Sequence, residues 1–231
     1  MDETKKTYYG AGLPYLKDET YAGKLIVIEG ADCSGRSTQA YLLKQWLEYE
    51  GHAVMDTGIK RSTLVSGVID QAKEGNVLGK TTLSLLYATD FADQLENKII
   101  PALRAGFIVL ADRYIFTLMV RDFVRGADPD WLEELFGFAR IPDLTFYLQM
   151  PPEVLLHRHF QKRGLLDYWE SGMDLSLSTD MFESFHRYQS LCAQQFEELA
   201  EDYHFVTIDG TRAIDDVQET LRSHVSRLIQ K

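Results

Sequence analysis

Short unbroken apolar runs alternate along this chain with longer stretches in which apolar residues return every three or four positions, as buried strands and one-faced helices require. Leu25-Ile26-Val27-Ile28 is the first run, rich in β-branched residues like the central strand of a parallel sheet. Leu42, Leu43, Trp46 and Leu47 follow it at helical spacing. Ala53 to Thr57 reads as a short strand, and residues 63–74 read as a helix ending near Gly75. From 82 to 104, Leu83, Tyr87, Phe91, Leu95 and Ile99 recur at every fourth position and predict one long helix with a single apolar face. Phe107 to Ala111 reads as a buried strand ending at Asp112-Arg113-Tyr114. Leu144 to Met150, after Pro142, is strand-like and precedes a helix over about 152–162. A polar irregular stretch, 164–179, leads to a helix of about 180–202, a strand from Phe205 to Ile208 and a closing helix from about 214.

Strands alternating with helices predict a parallel sheet covered on both faces and joined by right-handed crossovers. The expected fold is a three-layer α/β/α domain over 23–231 with a mainly five-stranded sheet. Residues 1–22 are polar and tyrosine-rich, hold Gly10, Gly12 and Pro14, and lack periodicity, so they read as an arm ahead of the first strand. Ligands of such sheets sit beyond the carboxyl ends of the strands. Glu29-Gly30, Asp112-Arg113 and Asp209-Gly210 all fall at such ends, which points to a single nucleotide pocket on the rim.

The run from Leu25 passes directly into Gly30, Ala31, Asp32, Cys33, Ser34, Gly35, Arg36, Ser37 and Thr38. This matches G-x-x-x-x-G-K-[ST] except that Arg36 stands where lysine is expected. Glycine lets backbone N–H groups approach a triphosphate closely or adopt positive φ, and the helix that follows adds its N-terminal N–H groups and dipole. Ser37 is the expected Mg²⁺ ligand of such a loop. Arg36 keeps the charge of lysine but presents a planar fork instead of a compact point charge. Two readings follow, an altered working loop and a loop that binds nucleotide without efficient transfer.

Composition narrows the partners. The chain has 231 residues, 45% of them hydrophobic, and a formal charge of −11 with pI near 5.0, which argues against a nucleic-acid binder because a phosphate backbone demands a basic face. No apolar span suits a membrane, no leader is evident, and two cysteines, Cys33 and Cys192, make no disulfide framework, so the expected location is cytoplasmic. The six histidines show no metal-ligand spacing, and Cys33 reads as a small residue that fits the loop.

In order, IVIEGADCSGRSTQ, KRST, LLYATDFADQ, LADRY and PDLTFYLQMPPEV resemble the thymidylate kinase family of P-loop nucleoside monophosphate kinases, over about 24–230. The resemblance implies transfer of the γ-phosphoryl group of ATP to a deoxynucleoside monophosphate, dTMP first, with Mg²⁺ and usually in a homodimer. It places Asp32 at the acceptor sugar's 3′-hydroxyl, Arg61 on the acceptor phosphate with Arg113 beside it, and Tyr87 on the base. Thr117, Phe91 and Arg121 complete the expected acceptor contacts, and Asp112 joins Ser37 in organising Mg²⁺. The segment 157–164 resembles the family's helical lid, which spans about 157–180 here, with Arg158 and Arg163 its basic residues. Arg36, Asp112, Arg113, Arg158 and Arg163 thus form the expected catalytic set.

Besides Arg36, three departures matter, at Phe91, at Tyr168 and at Cys33, which is not the basic loop residue of other members. Phe91 stands where the family carries an arginine that hydrogen-bonds the thymine edge, with Arg121 a substitute from another helix. Tyr168 follows Asp167 where some members have a catalytic arginine, and the patterned segment Asp167 to Asp174 has no reading from sequence. They keep two alternatives open: a kinase of the same fold with another nucleotide or nucleoside acceptor, and a catalytically weak nucleotide-binding regulator.

Overall fold

A computed structural model describes residues 6–16, 19–75 and 78–230. Strand β1 (Lys24–Gly30) leads into α1 (Arg36–Tyr49), β2 (Val54–Gly58), α2 (Ser66–Gly75) and α3 (Lys80–Gln94). A π-helical turn, Leu95–Ile99, joins α3 to α4 (Ile100–Arg104). Then come β3 (Ile108–Asp112), α5 (Ile115–Val124), α6 (Pro129–Phe136), β4 (Leu144–Gln149), α7 (Pro152–Arg163), a short 3₁₀ turn, α8 (Met181–Asp202), β5 (Val206–Asp209) and α9 (Ile214–Ile229).

The five strands form one parallel sheet in the order β2-β3-β1-β4-β5. Because side chains alternate across a strand, β1 feeds both faces. Ile26 and Ile28 pack with Leu43 and Leu47 of α1 and Val217 and Leu221 of α9, while Leu25 and Val27 pack beneath α3, α4, α5 and α8. That two-sided burial is why the run has no polar alternation, and it makes the expected α/β/α layering a fact of the structure. Parallel strands end together, so the residues after β1 and β3 meet at one rim: Ile28 pairs with Asp112. No helix among the described residues is long and apolar enough to cross a membrane.

Two features depart from the sequence reading. The helix expected over 82–104 is interrupted by the π turn. Residues at every fourth position drift about 40° per step around an α-helix, and the wider π turn resets the face, so that Leu95 and Ile99 stay buried. Pro101, which lacks an N–H, follows in the first turn of α4. Helices α5 and α6 carried no expectation, although Asp128 caps α6 by accepting the Trp131 N–H at 3.0 Å, and Pro129 opens the helix.

The described part of the arm lies along residues 137–141. Tyr9 N donates to Ala139 O (3.0 Å), Ile141 N to Thr7 O (2.8 Å) and Gly10 N to Gly137 O (2.7 Å). The Tyr9 ring meets Phe116 and Tyr203 edge-on, which ties the arm to the underside of α5.

Candidate active site

The loop after β1 has the backbone that its glycines allow. Gly30 has φ +147° and Gly35 φ +100°, and Cys33 adopts φ +62° between them. A Cβ on Gly30 would lie 2.9 Å from Leu148 O, so this position needs glycine for space as well as for conformation. Gly35 then precedes the first turn of α1, whose N–H groups open onto a cavity lined by Cys33 to Gln39 with Arg158, Lys162 and Arg212. Arg158 of α7 reaches across to this loop, donating to Ser34 O (3.1 Å) and Gly210 O (3.3 Å).

Arg36 borders that cavity but is itself buried. Its guanidinium donates to Asp112 Oδ1 at 2.8 Å and to Ala31 O at 3.4 Å. Burial pulls its pKa down to about 10, repulsion from Arg113 adds to this, and Asp112, Asp32 and Glu29 oppose it. The second oxygen of Asp112 accepts the Ser37 hydroxyl at 2.6 Å. Ser37 and Asp112 are hard oxygen donors of the kind that suits Mg²⁺ when phosphates and water complete its coordination. No group of three or more His, Cys, Asp or Glu side chains able to hold a metal by itself occurs among the described residues.

On the other side of the loop, Asp32 is gripped by two guanidiniums, Arg113 and Arg121, the latter at 2.5 Å. Burial alone would raise the Asp32 carboxyl, but Arg113 and Arg121 overcome it and hold the group well below the usual aspartate range. Asp32, Tyr87, Arg121, Lys73, Trp169 and Gln189 are among the residues that line a second cavity between α2, α3, α5 and α8.

Glu29 was placed at a strand end on the rim but given no role from the sequence, and it orders this side of the site. Fully buried, it accepts the Tyr114 N–H (2.8 Å), the Thr117 N–H (3.3 Å) and the Thr117 hydroxyl (2.5 Å). These bonds satisfy the N-terminus of α5, the helix that carries Arg121. Burial raises the Glu29 carboxyl, against the pull of Thr117 and Arg36. The available signal was a lone acid ending an otherwise apolar strand.

Several expected site residues lie elsewhere. Phe91 is a core residue, packed edge-to-face on Tyr114 at 4.8 Å, and does not line the Tyr87 cavity; its apolar ring belongs with the buried face of α3. Thr117 borders that cavity, but its hydroxyl is spent on Glu29. Arg61 pairs with Asp56 at 2.9 Å and faces a groove shared with Ser37 and Asp112, not the Tyr87 cavity. Arg163 donates from one guanidinium nitrogen to both carboxylate oxygens of Glu170, each at 2.9 Å, and lies outside the loop cavity, where Lys162 stands instead. Tyr168 is exposed.

The rim is consequently partitioned rather than one open pocket. Gly35 lines the loop cavity, Asp112 the Arg61 groove, and Arg113 a small space under Gly58 and Phe91. Ion pairs make the partitions: Arg36 with Asp112, and Arg113 and Arg121 with Asp32. Ser37 is common to the loop cavity and the groove, and the Arg113–Asp32 pair links the third space to the Tyr87 cavity.

Segment 167–174 finds its explanation here. Asp167 accepts the N–H groups of Trp169 (2.9 Å) and Glu170 (3.0 Å), and Asp174 takes Arg125 at 2.8 and 3.1 Å. The turn so fixed presents Trp169 and Glu170 as one wall of the Tyr87 cavity. Behind it, His159 is buried 3.6 Å from Glu170, and desolvation lowers its pKa although Glu170 opposes this.

Comparison with known proteins adds independent findings. A family model described as thymidylate kinase matches residues 28–221. A probable thymidylate kinase 2 of Saccharolobus solfataricus is 39% identical over 208 residues, covering 90% of this chain and 97% of that protein. A probable thymidylate kinase of Pyrococcus horikoshii is 34% identical over 209 residues, covering 86% and 94%. A thymidylate kinase of Caldicellulosiruptor saccharolyticus is 31% identical over 219 residues, covering 90% and 98%.

Proposed function

The chain belongs to the thymidylate kinase family, and from that premise we propose how its residues divide the work of passing the γ-phosphoryl group of ATP to dTMP, which gives ADP and dTDP. One observation carries the division. Cys33 to Gln39 line one cavity while Gly30 to Asp32 line another, so a single loop is the wall between donor and acceptor.

The loop N–H groups and the first turn of α1 take the donor's phosphates, with Arg158 and Lys162 reaching in from α7. Phosphoryl transfer asks chiefly for alignment and for cations on spreading negative charge. Arg36 serves from beneath the loop, where Asp112 and Ala31 hold its fork in place. Ser37 and Asp112, hydrogen-bonded to each other at 2.6 Å, would hold Mg²⁺, which would supply charge neutralisation on the donor phosphates. Across the wall, Tyr87 offers its ring to the acceptor base, and Asp32 offers a carboxylate oxygen to the 3′-hydroxyl. Arg113 exchanges part of its bond to Asp32 for the acceptor phosphate, and Arg121 keeps Asp32 in place. The proposal extends to a homodimer, supported by the exposed Leu64, Val68 and Leu85 on and beside α2 and α3; sedimentation equilibrium of the purified chain tests it.

The reaction itself is checked by following ADP with ATP, Mg²⁺ and dTMP, dUMP, dCMP, dGMP or dAMP in turn. The expected result is the highest kcat/KM with dTMP. ADP release no faster with dTMP than with ATP alone would overturn the reading.

A further inference from the structure

We propose that Lys73 selects the acceptor base, its ammonium donating to the C4 carbonyl of a pyrimidine lying on Tyr87, so that thymine and uracil are accepted and cytosine is refused. The inference rests on the assignment of the Tyr87 cavity to the acceptor nucleotide.

Accounting for the cavity's donors leads there. Arg121 is tied to Asp32 through one guanidinium nitrogen at 2.5 Å, which turns its fork toward the phosphate loop, and Thr117 is bound to Glu29. Arg125 is spent on Asp174, the Tyr188 hydroxyl (2.7 Å) and Trp169 O (3.1 Å). Gln189 donates to Glu170 O at 2.8 Å. Among the donor side chains lining the cavity, only the Tyr87 hydroxyl and the Lys73 ammonium make no hydrogen bond or ion pair to the described residues. Phe91, on the neighbouring turn of α3 from Tyr87, is sealed in the core and offers no polar atom.

Of these two donors only one discriminates. A phenol donates and accepts, so it can meet a carbonyl or an amine, whereas an ammonium has three N–H donors and accepts nothing. Thymine and uracil present a carbonyl at C4, and cytosine presents an amine there. Facing that amine, Lys73 would be left unpaired in a half-buried site, a mismatch that costs more than the lost bond itself.

The lysine is also held where it can act. Its carbonyl accepts the Trp169 indole N–H at 3.4 Å, which fastens the end of α2 to the cavity wall. The nearby acids are already occupied, Glu170 by Arg163 and Asp167 by the turn it caps. Burial and the charge of Arg121 lower the Lys73 pKa, as expected of an ammonium short of partners.

The test compares kcat/KM for dTMP and dCMP in the wild type, Lys73→Met and Lys73→Arg, with dTMP binding measured by calorimetry without ATP. The expected loss for dTMP in Lys73→Met is about 10- to 100-fold, the worth of one charge-assisted hydrogen bond, with dCMP changed less than about threefold. Lys73→Arg should keep the preference. A Lys73→Met protein that melts like the wild type and keeps the wild-type ratio of dTMP to dCMP overturns the proposal. Should Lys73→Met not fold, Lys73→Gln, whose amide can also accept, must narrow the ratio or the proposal falls. A wild type with no dTMP-dependent ADP release overturns the kinase reading instead, and calorimetry of dTMP against dCMP with the same variants then decides the role of Lys73 alone.

Discussion

Arg36 shows how one substitution in a phosphate loop can recruit its surroundings. Lysine would place a single point charge in the loop; the guanidinium instead lies under it, bridging Asp112 and the Ala31 carbonyl. An ammonium cannot reproduce both contacts, so Arg36→Lys is expected to lower kcat by about tenfold or more, the cost of a lost charge-assisted bond. An increase in kcat would show instead that arginine impairs the loop. His159 gives a second residue-scale expectation. Its folded pKa lies below the ordinary 6.5 because burial disfavours the cation. The unfolded chain therefore binds the proton first, and the stability His159 contributes is complete above about pH 6.5 and lost as pH falls from there through the folded pKa. Thermal melts between pH 7.5 and 5 should show Tm falling with pH, and His159→Phe, which keeps the packing on Phe185, should flatten that decline.

At the scale of elements, most strands and long helices could be read from periodicity, because a buried parallel strand and an amphipathic helix leave different spacings. The interruption of the 82–104 helix could not, since the drift of a four-residue repeat becomes a π turn only against a fixed sheet. Helix α5 is buried from Ile115 to Val120, so a nearly continuous apolar run hides its period. The arm is the clearest case of an element defined by its partner. Gly10 passes so close to Gly137 that a Cβ there would sit 2.8 Å from the Gly137 Cα. Gly10→Ala must move backbone, and an equilibrium urea titration should show a loss of about 1–3 kcal/mol. Faster tryptic cleavage at Lys6 should accompany it if the arm lifts from 137–141. An unchanged midpoint would mean that the arm contributes little to stability.

Over the whole molecule, the parallel sheet collects residues far apart in sequence at one rim, and ion pairs then divide that rim. Asp112 stands at the junction, holding Arg36 and Ser37 with its two oxygens. Asp112→Asn should reduce kcat by about a hundredfold and raise the Mg²⁺ concentration for half-maximal rate. A drop in kcat with an unmoved Mg²⁺ titration would assign Asp112 to Arg36 alone. Arg61 and Arg163, both expected at the phosphates, are instead paired with Asp56 and Glu170. Their charges were visible in the sequence, but the carboxylates that claim them were not.

The local order of the chain was enough to determine the phosphate loop, the parallel α/β layering and the family, because positive-φ glycines, strand hydrophobicity and helix period are properties of neighbouring residues. Which cations stay available to a ligand was decided only by tertiary structure. A guanidinium seeks whichever carboxylate folding brings within reach, so Arg36, Arg121 and Arg125 were committed to partners 76, 89 and 49 positions away, while Lys73 kept its ammonium for the cavity.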